Sequence, residues 1–116
     1  MGLDLTLYVE IDLGGPGGPE SIELYSCHIT HNLNKMAKEA GIYGIVWRPE
    51  ELGIEYAGQI VEGLDRGILE LKSHRTKYIK HDNPNGWGTY DGFVPWLEKL
   101  LDACKRYPKA RVYACR

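Results

Sequence analysis

Leu3-Asp4-Leu5-Thr6-Leu7-Tyr8-Val9-Glu10-Ile11-Asp12-Leu13 alternates an aliphatic residue with a polar or half-polar one without a break. Successive strand side chains point to opposite faces, so a period of two predicts a strand that buries its aliphatic face and leaves the other open. Gly14-Gly15-Pro16-Gly17-Gly18 follows. Glycine permits positive φ and proline cannot continue a central strand, so this segment reads as a hairpin loop. Its spacing is not a dinucleotide fingerprint, because no helix follows to present its N-terminus to a pyrophosphate. Glu20 to Cys27 returns as the second strand, with Ile22 and Leu24 expected inward.

A hairpin with one apolar face needs a cover, and the rest of the chain reads as helices. Thr30 suits an N-cap, and Leu33, Met36, Ala37 and Ala40 form a short stripe closed by Gly41. Residues 42–53 contain Tyr43, Trp47 and Pro49 and read as an irregular aromatic crossing, with one turn starting at Pro49. Ile54, Ala57, Val61, Leu64, Ile68 and Leu71 step by three and four, which predicts a central helix over 54–71. Gly58, Gly63 and Gly67 inside it each cost about 1 kcal/mol against alanine unless close packing requires them. His74 to Lys80 has room for one more turn, and Asp82 to Tyr90 is loop chemistry throughout. Phe93, Leu97, Leu100, Leu101 and Cys104 make a third stripe, with Pro95 near its start and Pro108 after its end. Residues 110–115 fit a last strand. The expected architecture is therefore a single α+β domain over 1–116, in the order β-β-α-α-α-β. A three-stranded, largely antiparallel sheet would carry its helices on one face, with the last strand beside the first.

Composition narrows the function classes. A chain of 116 residues with 43% hydrophobic and 26% charged residues has the makings of one packed core and no room for a second. The formal charge of −2 argues against general nucleic-acid binding, which needs a basic face. No apolar run approaches the roughly 20 residues that cross a bilayer, so a cytoplasmic protein without membrane association is expected. Cys27, Cys104 and Cys115 form neither a disulfide framework nor a C-x-x-C motif and read as free thiols.

Two segments carry polar and aromatic residues that the helical stripes leave unexplained. In the first, running from Cys27 to Asn32, the side chains of His28, Thr30, His31 and Asn32 crowd the passage from second strand to first helix. Amides of a helix start beside two imidazoles suit an anion such as a phosphate; the alternative is a polar helix start with one histidine packed. Two imidazoles three residues apart, without a third ligand, do not make a metal site. In the second segment, Asn85 to Asp91, Trp87, Tyr90 and Asp91 sit on a glycine-rich turn, where a ring either marks a recognition surface or folds back on the core. Trp47-Arg48 offers the same choice between a stacked anion clamp and a core indole beside a surface arginine. Together His28, Thr30, His31, Asn32, Arg48, Trp87, Tyr90 and Asp91 are the candidate ligand-binding residues. No Walker loop, G-x-S-x-G or H-E-x-x-H is present, and neither a catalytic set nor a cofactor motif is assigned.

Three stretches resemble a family of small, mostly uncharacterised proteins encoded by bacteriophages and prophages: ITHNLNKMAKEAGIY at 29–43, WRPEELGI at 47–54 and NGWGTYDGFVPW at 85–96. They cover about a third of the chain and keep their order. The opening MGLDLTLY is similar to that of another group of small phage and bacterial proteins. The first resemblance implies a phage accessory product acting in the cytosol of a bacterial host, and it brings no activity to transfer. The reading that combines these observations is a non-enzymatic binding protein. It would act as a counter-defence factor that sequesters a nucleotide-like signal or blocks a host protein. Thr30 and Arg48 would serve phosphate and Trp87 the base. The alternatives are a phosphoester-cleaving enzyme using His28 or His31 as base with Asp91 orienting it, and a phage assembly component. An exposed apolar patch or a homo-oligomer would point to the assembly component.

Overall fold

The computed structural model describes residues 2–116 and has one three-stranded antiparallel sheet in the order β2-β1-β3. Strand β1 (Gly2–Ile11) and strand β2 (Glu20–Thr30) form the hairpin, and β3 (Arg111–Cys115) returns beside β1. The hairpin loop closes on Gly14 and Gly18, both at φ +77°. Helices α1 (Asn34–Glu39), α2 (Tyr43–Trp47), α3 (Val61–Ser73), α4 (Arg75–Ile79) and α5 (Tyr90–Arg106) supply the core that covers one side of the sheet. The fold is the α+β arrangement that the strand alternation and helical stripes predict.

The period-two pattern places the buried face but not where the cover stops. Leu3, Leu5 and Leu7 are fully buried, each contributing about 1.5–3 kcal/mol by transfer from water. Val9 is half-buried, and Ile11 and Leu13 are 38% and 66% exposed. Ile22, opposite Val9 in the register, is 42% exposed. It points to the helix side as expected but lies beyond the end of the helices, so its inward burial is corrected. The register slips between Leu7 and Tyr8, where Tyr25 and Glu23 are the successive partners and Leu24 is the extra residue. That bulge lets two consecutive residues, Leu24 and Tyr25, both line the surface shared with α5.

Several helical boundaries differ from the sequence reading. The central helix begins at Val61 rather than Ile54, because residues 55–58 bond to β3 and the residues just ahead of it instead. Glu55 O accepts from Val112 N at 3.1 Å, and Ala57 N and Gly58 N donate to Ala110 O and Pro108 O at 2.8 Å each. Residues 43–47, read as irregular, form α2. Its Trp47 is fully buried, stacks on Tyr43 at 5.6 Å and meets the edge of Phe93 at 6.2 Å. Helix α5 starts three residues ahead of Phe93, where Thr89 caps it through Oγ1 to Gly92 N at 3.2 Å. Pro95 therefore falls in the second turn.

Candidate functional site

The Asn83–Thr89 loop is tied down by its own asparagines. Asn83 Oδ1 accepts from Asn85 N at 3.2 Å and Asn85 Oδ1 from Trp87 N at 2.8 Å, so two successive Asx turns set the chain direction. Gly86 N donates to Asn83 O and Asn83 N to Gly88 O. Gly88 sits at φ +100°, and a Cβ there would meet Asn32, Thr30 and Leu33 at 3.1–3.3 Å. Only glycine satisfies both the dihedral and the close approach. From the other side Asn32 Nδ2 donates to Trp87 O at 3.0 Å. The loop is thus fastened against the end of β2, and the Trp87 indole is left 71% exposed.

Trp87, His28, Ile29, Thr30 and Gly2 line a half-open hollow of about 310 Å³. His28 and Asp4 are register partners on the open face of the sheet, and His28 Nδ1 lies 2.7 Å from Asp4 Oδ1. That contact orients the ring. A Cβ on Gly2 would collide with His28 Cε1 at 2.7 Å, so the imidazole lies directly over the Gly2 backbone. Thr30 Oγ1 accepts from Asn32 N at 3.2 Å and caps a single 3-10 turn, His31–Leu33. With only one such turn ahead of a six-residue α1, the helix field that the phosphate reading relied on is small.

The structure divides the eight candidate residues. His28, Thr30 and Trp87 line the hollow, and Asn32 holds its wall. The other four do not line it and make their polar contacts elsewhere. His31 turns inward, where its Nδ1 accepts from Trp47 Nε1 at 3.0 Å. Arg48 donates to Tyr43 Oη at 3.1 Å and to Glu51 at 2.7 Å. The phenol oxygen first, then the Glu51 carboxylate, push the guanidinium further toward its charged form. Tyr90 is buried and its Oη donates to Leu71 O at 2.9 Å. Asp91 pairs with Arg75 at 3.2 Å. Asp4, which the sequence reading passed over, is instead the carboxylate beside His28. Its place on the polar face of β1 was readable, but the hairpin register that sets it opposite His28 was not.

Among the described residues no three His, Cys, Asp or Glu side chains converge as a metal site, and no helix is long and apolar enough to cross a membrane. Comparison with protein-family models, with curated proteins and with solved structures gives no match for this chain.

Proposed function

We propose that this protein is a non-enzymatic binding protein, a phage accessory product of the host cytosol, that blocks a host protein by inserting Trp87 into it. The observation that carries the reading is a large indole held 71% exposed on a loop whose hydrogen bonds fix it in advance. A large apolar ring with a polar N–H, carried on a backbone set in advance, has less chain entropy to lose on docking, and tryptophan is enriched in binding hot spots. The phage context rests on the three resembling stretches at 29–43, 47–54 and 85–96, and the counter-defence role on that context together with aromatic, glycine-rich loop segments that lack a convergent catalytic set. Sequestration of a nucleotide-like signal is the weaker form. The ring could stack on a base, but Arg48 is spent on Glu51 and the His28 that lines the hollow carries the Asp4 carboxylate on its Nδ1.

Capture of binding partners from bacterial lysate, run with the wild type and with Trp87→Ala, tests the proposal. Loss of a specific partner with Trp87→Ala, at unchanged thermal stability, is the expected result. Identical captures with both proteins would overturn it. Calorimetric titration with cyclic and linear nucleotides separates out the sequestration form.

A second reading, phosphoester hydrolysis, is favoured by one observation, the His28–Asp4 contact of 2.7 Å. A carboxylate on Nδ1 holds an imidazole in the tautomer that a general base needs. Incubation with nucleotides and divalent metals followed by chromatography distinguishes it, because an enzyme consumes what a binder only holds.

A further inference from the structure

The amino-terminal hairpin is separated in charge from the rest of the chain. Residues 1–34 hold five carboxylates and no lysine or arginine, whereas residues 35–116 hold fourteen basic and eleven acidic residues. Of the five, only Asp4 has an ion-pair partner among the described residues. Glu10, Asp12, Glu20 and Glu23 stand on the hairpin without one. At the base of the same hairpin, where α5 ends, Arg106 and Lys109 equally lack a carboxylate partner among the described residues.

The apolar surface is unfinished in a matching way. Arg106 and Lys109 border an open hollow of about 290 Å³ whose apolar lining includes Val9, Leu24, Tyr107 and Pro108. Farther out on the same side of the hairpin, Ile11 and Ile22 are exposed, with Leu13 beyond them. Glu20 is the register partner of Ile11 and shares that side. The helix side of the arm therefore carries an apolar knob with a carboxylate next to an apolar hollow rimmed by cations.

We propose that two copies of this chain associate through their hairpins in a two-fold arrangement. The arms run antiparallel with their helix-side faces together. Ile11 and Ile22 of each copy cover the Val9–Leu24 hollow of the other, and Glu20 of each meets Arg106 and Lys109 of the other. Knob and hollow adjoin on one side of the hairpin, Ile22 being the register partner of Val9, so a two-fold axis passing between them satisfies both contacts at once and the interface closes on itself. That reciprocity selects a second copy over a foreign basic protein, which would fill the apolar tip and leave the cationic hollow vacant. It also removes the liability of an exposed apolar arm.

Sedimentation of the full chain over a range of concentrations, in low and high salt, tests the proposal. A monomer–dimer equilibrium that weakens as salt rises is expected, because the charged contacts lie at the rim. Glu20→Arg and Arg106→Glu each reverse one exposed charge, leave the monomer folded, and should weaken the dimer about tenfold or more. Mixed in equal amounts, the two variants should form a heterodimer tighter than either variant alone, because one of the two contacts is then native and the other joins the two substituted positions with their charges exchanged. A chain that stays monomeric throughout overturns the proposal, and one that does so while binding an amphipathic basic peptide assigns the arm to a foreign partner. A dimer indifferent to both variants overturns it as well, by placing the interface elsewhere.

Discussion

Nε1 of Trp47 donates to Nδ1 of His31 at 3.0 Å, so of the two roles the sequence left open for this imidazole, ligand or packed side chain, it takes the second and satisfies the one polar side-chain atom of a fully buried indole. The same indole is held from its backbone side, where Arg116 Nη1 donates to Trp47 O and to Glu50, each at 2.7 Å. Trp47 thereby links α2, the turn ahead of α1 and Arg116. Trp47→Ala should cost about 3–5 kcal/mol in urea denaturation, by cavity formation and loss of the ring contacts. Trp47→Phe should cost less, yet more than its lost area implies, because His31 Nδ1 is left without its donor.

Two glycines of α3 should respond in opposite directions to alanine. A Cβ at Gly67 would fall 2.0 Å from Ile42 Cγ2, on a fully buried side chain with no room to retreat. Gly67→Ala should therefore lower stability by about 1–3 kcal/mol through overpacking, despite alanine's better helix propensity. At Gly63 the nearest atom is Ile45 Cδ1 at 3.1 Å, the far end of a half-exposed chain that can swing away. Gly63→Ala should be neutral or stabilising by up to about 1 kcal/mol. Thermal unfolding of the pair reads the contrast directly.

The three thiols should separate kinetically. Burial first, together with neighbouring groups in the case of Cys27, pushes both Cys27 and Cys104 up to about 12, so neither supplies much thiolate near neutral pH. Cys115 is exposed. Alkylation followed by mass spectrometry should show one fast addition, at Cys115, and two slow ones that accelerate only with denaturant. Fast modification of Cys27 or Cys104 in the native protein would contradict this packing.

Acid should weaken the fold through three paired carboxylates. The largest influence on Glu39 is its hydrogen bond with His81, on Glu50 that with Arg116, and on Glu70 that with Tyr78; each holds its carboxyl group below the usual range. A group whose folded pKa lies below its unfolded value contributes stability that is complete above the unfolded pKa and is lost as pH falls through the folded one. The urea midpoint should thus be level around neutrality and fall below about pH 4.3, the ordinary glutamate value. Glu50→Gln, which removes the charge facing Arg116, should reduce the size of that fall.

The loop holding Trp87 should depend on Asn32. Asn32→Ala removes the hydrogen bond to Trp87 O and leaves the Gly88 contact as the main tie from that side. Overall stability should change by no more than about 1 kcal/mol. Acrylamide quenching should report a change confined to the exposed indole, because Trp47 is buried and Trp96 half-buried.

Local pattern was sufficient wherever a residue's role depended on its neighbours in sequence. Strict alternation from Leu3 determined a strand with one buried face, and Gly14 to Gly18 determined its loop. Thr30 and Gly41 bracketed the first helical segment, and the apolar stripes after Val61 and Phe93 determined the two long helices. Only the tertiary structure decided where burial ends along the hairpin, because cover is supplied by α5, about eighty residues away in sequence. The same holds for Glu55 to Gly58, whose apolar spacing suits a helix but whose amides and carbonyls found partners in β3 and in the residues just ahead of it. It holds most of all for the candidate site. Whether a histidine, arginine or tyrosine faces a ligand or a neighbour is set by which long-range partner satisfies its polar atom, and no spacing within the sequence encodes that choice.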